Sequence, residues 1–143
     1  MFSEEDMPKL IDFGLCIQAD NRRAEHEIAG TPYYISPDVL SGVYGKECDI
    51  WSMGVCLFQF LSGNFPFDGE DMTEIFDKIK SGEFECDRDL ISADAEDLIR
   101  HMIVVNPEKR FTALQVLEHS WIKQSEAKFR RKGTMFKELD DEH

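Results

Sequence analysis

The chain carries 29 acidic and 16 basic side chains in 143 residues, a formal net charge of −13. Hydrophobic residues at 42% and charged residues at 31% argue against a disordered chain and for a single soluble domain. The acidic balance argues against partners such as nucleic acid or an anionic membrane, both of which would repel it.

Residues 1–10 are acidic and show no signal-peptide pattern. Lys9-Leu10-Ile11-Asp12-Phe13 predicts a short strand that stops at Gly14. From Leu15 to Ser41 no helical period holds, and Gly30, Pro32 and Pro37 punctuate what reads as one long loop. Loops of that length inside a compact domain are uncommon and often functional. Ile50 to Leu61 is apolar on nearly every side, too short to span a membrane and broken by Ser52 and Gln59. It predicts a central helix that needs cover all round, with Gly63 as its stop.

Met72, Ile75, Phe76 and Ile79 keep an i, i+3, i+4, i+7 stripe, a second helix ended by Gly82. Ser92 is a good N-cap for a third, which carries Asp94, Glu96 and Asp97 in its first turns and would bury Ala95, Leu98, Ile99, Met102 and Ile103. A fourth starts at Thr112, where Gln115 completes a capping box, and runs to Trp121. Residues 123–143 form a charged tail. Cys16, Cys48, Cys56 and Cys86 lack C-x-x-C or metal-finger spacing, which points to reduced thiols and a cytoplasmic location, the nucleus left open.

Specific chemistry enters at Asp12-Phe13-Gly14. This tripeptide opens the long loop, which closes with Gly30-Thr31-Pro32-Tyr33-Tyr34-Ile35-Ser36-Pro37-Asp38. Asp49-Ile50-Trp51-Ser52-Met53-Gly54, Pro66-Phe67 and Asn106-Pro107-Glu108-Lys109-Arg110 follow. In order and spacing these motifs resemble the C-terminal lobe of a eukaryotic serine/threonine protein kinase. His119-Ser120-Trp121 is similar to the calmodulin-dependent and calcium-dependent group. The fold this implies is mainly α: a partial kinase C-lobe over 1–122, with a short strand, an activation segment at 12–38 and about four helices around a buried central one.

The resemblance also implies roles. Asp12 matches the aspartate that holds magnesium against the phosphates of ATP, with Phe13 packing beneath it and Gly14 permitting the turn. Thr31 lies in the loop against which a protein substrate docks. Asp38 stands where the family has glutamate, and Arg110 matches the arginine that pairs with it. A side chain one methylene shorter keeps that pair only if the backbone moves to meet it. Asp49 matches an aspartate that accepts hydrogen bonds from the catalytic-loop backbone; alone it reads as a helix N-cap.

Other parts of the family pattern do not occur in the 143 residues: no Gly-rich loop, no V-A-I-K lysine and no H-R-D. The expectation is a chain that binds Mg-ATP poorly by itself and transfers no phosphate alone. A missing kinase lobe, or a partner, would then cover the exposed part of the central helix. The alternative is a non-catalytic remnant that binds substrates or kinase partners. The middle of the long loop has no Ser, Thr or Tyr between Gly14 and Gly30; Glu25 and Glu27 supply either constitutive charge or a solvated surface. In the tail, Phe129-Arg130-Arg131-Lys132-Gly133-Thr134 is similar to the substrate preference of the calmodulin-dependent group and makes Thr134 a candidate phosphosite, although such clusters are commonly solvated faces. No EF-hand calcium loop occurs.

Overall fold

The computed structural model describes residues 10–16 and 31–125. Within them lie five α-helices: α1 (Pro37–Leu40), α2 (Glu47–Ser62), α3 (Met72–Ser81), α4 (Ala93–Met102) and α5 (Ala113–Glu118). Residues 120–125 continue as a further helical stretch. None of these helices is long and apolar enough to cross a membrane.

The central position falls to α2. Ile50, Trp51, Gly54, Val55 and Phe58 are buried along it, and Gly63 ends it in the left-handed conformation at φ 77°. Gly54 sets how closely α4 approaches: a Cβ there would lie 2.9 Å from both Met102 Cβ and Ile103 Cγ1. On α4 the buried face is Ala95, Leu98, Ile99 and Met102, with Ile103 buried just past its end. Ser92 caps the helix by accepting from the Ala95 amide. Ile75 and Ile79 of α3 are buried, whereas Met72 at its start is half exposed. An aromatic stack closes the core: Phe67 lies parallel to Trp51 at 5.5 Å and meets Phe84 edge-on at 5.9 Å.

Three features differ from the sequence expectations. The strand over 9–13 does not form among the described residues: 10–12 are irregular and Phe13–Leu15 is a 3-10 turn. A strand is stable only when another pairs with it, and no second strand occurs among the described residues. The stretch read as loop up to Ser41 contains α1, which Ser36 caps through its hydroxyl with Pro37 in the first turn. The central helix is left partly uncovered, as the sequence reading expects of these residues without further cover: Met53 is 53% and Phe60 83% exposed. Finally, α5 ends at Glu118 rather than reaching Trp121, because His119 adopts an extended backbone (φ −64°, ψ 142°).

His119 is itself a junction. Its Nδ1 accepts from the Trp121 backbone N–H at 3.3 Å, which caps the helical stretch that follows, and its Nε2 lies 3.0 Å from Asp97 Oδ2 on α4.

Candidate functional site

The best-defined polar arrangement fastens residues 31–41 to the helical core. Pro32–Tyr34 form a 3-10 turn, and the Ile35 and Ser36 that follow are buried. Tyr33 stacks on Phe65 with centroids 4.3 Å apart, while Tyr34 meets the same ring edge-on at 5.6 Å. Two hydrogen bonds tie Tyr34 to α2: its hydroxyl donates to Gln59 Oε1 at 2.9 Å, and the Ser52 hydroxyl donates to its carbonyl at 2.8 Å. Thr31, at the start of this turn, is exposed.

Asp38 and Arg110 are brought together at the other end of the segment. Arg110 Nη2 donates to Asp38 Oδ1 at 2.7 Å, and the two side chains are 0% and 6% exposed. The guanidinium also donates from Nη1 to the Glu47 carbonyl at 2.7 Å and from Nε to the Val104 carbonyl at 3.0 Å. It lies over the Trp51 ring at 5.3 Å. One arginine therefore joins α1, the N-terminus of α2 and the turn after α4. The pairing uses a single carboxylate oxygen; Asp38 Oδ2 is buried without a hydrogen-bond partner. A fork-to-fork pair would engage both oxygens, and here the second guanidinium nitrogen is held by a backbone carbonyl instead.

Asp49 is not the N-cap of α2. Lys46 holds that position, and Asp49 sits exposed in the first turn, where a carboxylate is favoured by the helix dipole. Next to it, the Cys48 thiol is pushed up to about 12, first by burial and then by the carboxylates of Asp49 and Asp38. At pH 8 such a thiol is ionised to about one part in ten thousand, against about a quarter for an ordinary cysteine. Timed alkylation at pH 8 with peptide mapping is expected to label the exposed Cys16 long before Cys48. Equal rates at the two positions would show that the α1–α2 junction opens freely.

Asp12 adopts the left-handed conformation at φ 63°, and its carboxylate accepts from the Gly14 N–H at 3.4 Å. Asp12, Phe13 and Gly14 are all exposed. Magnesium takes one or two carboxylates and completes its octahedron with phosphate oxygens and water. Asp12 offers one such oxygen donor, and no group of three or more His, Cys, Asp or Glu among the described residues is arranged around a metal position. Asp12 by itself supplies one ligand of the kind magnesium takes beside nucleotide phosphates. Glu25, Glu27 and Thr134 lie outside the described residues.

Ser52 and Gln59 carry a role that sequence reasoning missed. They register as interruptions of an apolar helix, yet they are seven residues apart and so share one face, the face on which Tyr34 lies.

Residues 1–122 match the family model described as the protein kinase domain. The chain belongs to the protein kinase family. Within it the chain is similar to calcium-dependent protein kinases. It is 45% identical over 127 residues to calcium-dependent protein kinase 21 of Arabidopsis thaliana, covering 87% of this chain and 24% of that protein. To calcium-dependent protein kinase 25 of Arabidopsis thaliana it is 46% identical over 124 residues, 84% of this chain and 24% of the relative. The figure for calcium-dependent protein kinase 19 of Oryza sativa subsp. japonica is 42% over 127 residues, 87% and 24%. The chain thus spans about a quarter of the length of the curated relatives it matches.

Proposed function

We propose that the chain is the C-lobe share of a serine/threonine kinase of the calcium-dependent type, covering 1–122 with a charged tail at 123–143. A complete kinase of this kind moves a phosphoryl group from Mg-ATP to a protein hydroxyl, mostly by positioning and charge stabilisation. This chain's contribution is the docking loop from Thr31 to Ile35 and the anchor that holds it, with Asp12 as one magnesium ligand once nucleotide phosphates are present. The observation that carries the reading is the fastening of that loop by Tyr34, Gln59 and Ser52 at one end and by Asp38 and Arg110 at the other. Asp49 would steady the start of α2, and Thr134 is the residue whose phosphorylation we would look for in the tail. The cytoplasm is the proposed location, with the nucleus also open to it.

Alone, the chain is proposed to be inactive, since neither an H-R-D motif nor a Gly-rich loop occurs in its sequence. Calorimetric titration of Mg-ATP is expected to give no saturable heat with the chain or with Asp12→Ala. Saturable binding that disappears in Asp12→Ala would overturn the expectation that the chain binds Mg-ATP poorly, and a kinase assay would then decide whether it is inactive. A second reading, a non-catalytic module for kinase partners, is favoured by the exposed Met53 and Phe60, which lie one above the other on α2.

A further inference from the structure

Asp68-Gly69 is the sole Asp-Gly pair in the sequence, and no Asn-Gly pair occurs. It lies in the loop between α2 and α3, with Asp68 exposed and Gly69 half-buried. The Gly69 N–H donates to Asp68 Oδ1 at 2.8 Å, which sets this amide nitrogen beside the carboxyl group of the preceding residue. Among the described residues no other acceptor engages that N–H. Packing favours glycine at this position. A Cβ at residue 69 would lie 3.0 Å from Glu74 Cβ, tighter than almost any real contact. Glu74 is itself held by an ion pair to Lys78 Nζ at 2.7 Å and by the Glu70 N–H at 2.9 Å. The same Lys78 ammonium donates to the Asp68 carbonyl oxygen at 2.7 Å.

We propose that Asp68 is a site of spontaneous isomerisation to isoaspartate, directed by Lys78. The Gly69 nitrogen attacks Cγ of the protonated Asp68 carboxyl, a reaction its position already favours. The N–Cγ bond forms, the Cγ–OH bond breaks, and the amide proton and the hydroxyl depart as water. The product is a five-membered succinimide. With no Cβ, Gly69 leaves its nitrogen unshielded. Lys78 acts twice on one oxygen. On the intact peptide bond its ammonium draws electron density through the Asp68 carbonyl and eases loss of the N–H proton. On the succinimide it stabilises the oxyanion formed when water adds to that same carbonyl carbon. Opening there breaks the bond from the α-carbonyl to nitrogen, the nitrogen regains a proton from the added water, and the chain continues through Cγ. The oxygen facing Lys78 then belongs to a free carboxylate. A neutral hydrogen bond is exchanged for an ionic one, and Glu74 acquires a competitor for its cation.

The test is incubation of the full 143-residue chain for several weeks at body temperature in mildly acidic, heavy-oxygen water, followed by peptide mapping. Electron-transfer fragmentation tells isoaspartate from aspartate at equal mass, and the heavy oxygen marks both products of succinimide opening. Isomerisation is expected at residue 68 and at no other aspartate. The ratio of labelled isoaspartate to labelled aspartate should be about threefold higher than in chain kept unfolded in guanidinium chloride, the size of effect that one hydrogen bond gives. Lys78→Met removes the ammonium from a half-exposed position and should lower the folded ratio to the unfolded one. Asp68→Glu, whose ring closure is six-membered, should lose the reaction. Absence of isoaspartate at residue 68 in the folded chain would overturn the site. Equal ratios in the folded chain and in Lys78→Met would overturn the part given to Lys78.

Discussion

Arg110→Ala is expected to lower the unfolding free energy by about 3–5 kcal/mol, because it strands the Asp38 carboxylate in a buried site with no counter-charge. It also frees the Glu47 and Val104 carbonyls that the guanidinium now satisfies. Set against a typical domain stability of about 5–15 kcal/mol, this is a large fraction of the whole. Urea unfolding would show it as a lower midpoint at unchanged slope. The paired variant Arg110→Met, Asp38→Leu should recover much of the loss, since an apolar pair leaves no buried charge behind. A single variant that loses under about 1 kcal/mol would mean that the pair is not what ties α1 to the core.

The second large effect is expected at Phe67. Alanine there should cost about 3–5 kcal/mol, by removing a wholly buried ring and leaving a cavity beside Trp51. The loss spreads, because Phe67 also backs Phe84, which in turn meets Phe58 edge-on at 5.8 Å and lies under the Arg100 guanidinium at 5.0 Å. Phe67→Leu keeps most of the volume and should cost under about 1.5 kcal/mol. Near-ultraviolet circular dichroism is the discriminating measurement. The Trp51 band should weaken in the alanine variant well below its melting point and persist in the leucine one. An unchanged band in both would mean that Phe67 is not what orders Trp51.

What the sequence made legible was local. Ser92 and the Thr112–Gln115 capping box announced two helix starts, and Gly63 and Gly82 two helix ends. Each signal acts within four residues of itself, so one stretch of chain suffices to read it. By contrast, α1 went unread although Ser36-Pro37 is a good start signal, because one turn is too short to display a period. Strand formation at 9–13 depends on a partner strand, which no local pattern specifies. The fastening of Tyr34 was hidden for the same reason: Ser52 is 18 positions away and Gln59 is 25. Motif order did suggest Arg110 as the mate of Asp38 across 72 positions, but not the two carbonyls that occupy the rest of its guanidinium. Those acceptors come from the backbone, and backbone atoms leave no trace in residue identity.

The ring of His119 has a mechanical consequence. Because Nδ1 accepts the Trp121 amide, the ring proton belongs on Nε2, where it points at Asp97. The neutral imidazole is thereby committed at both ends, like a pin through two plates: one plate is α4, the other the turn of helix that starts at residue 120. The ring thus helps to set the heading on which the backbone departs from α5, together with the packing of Trp121 and Ile122 on the core. Glutamine or asparagine could supply a donor and an acceptor there, but neither holds them at the fixed span of a rigid aromatic.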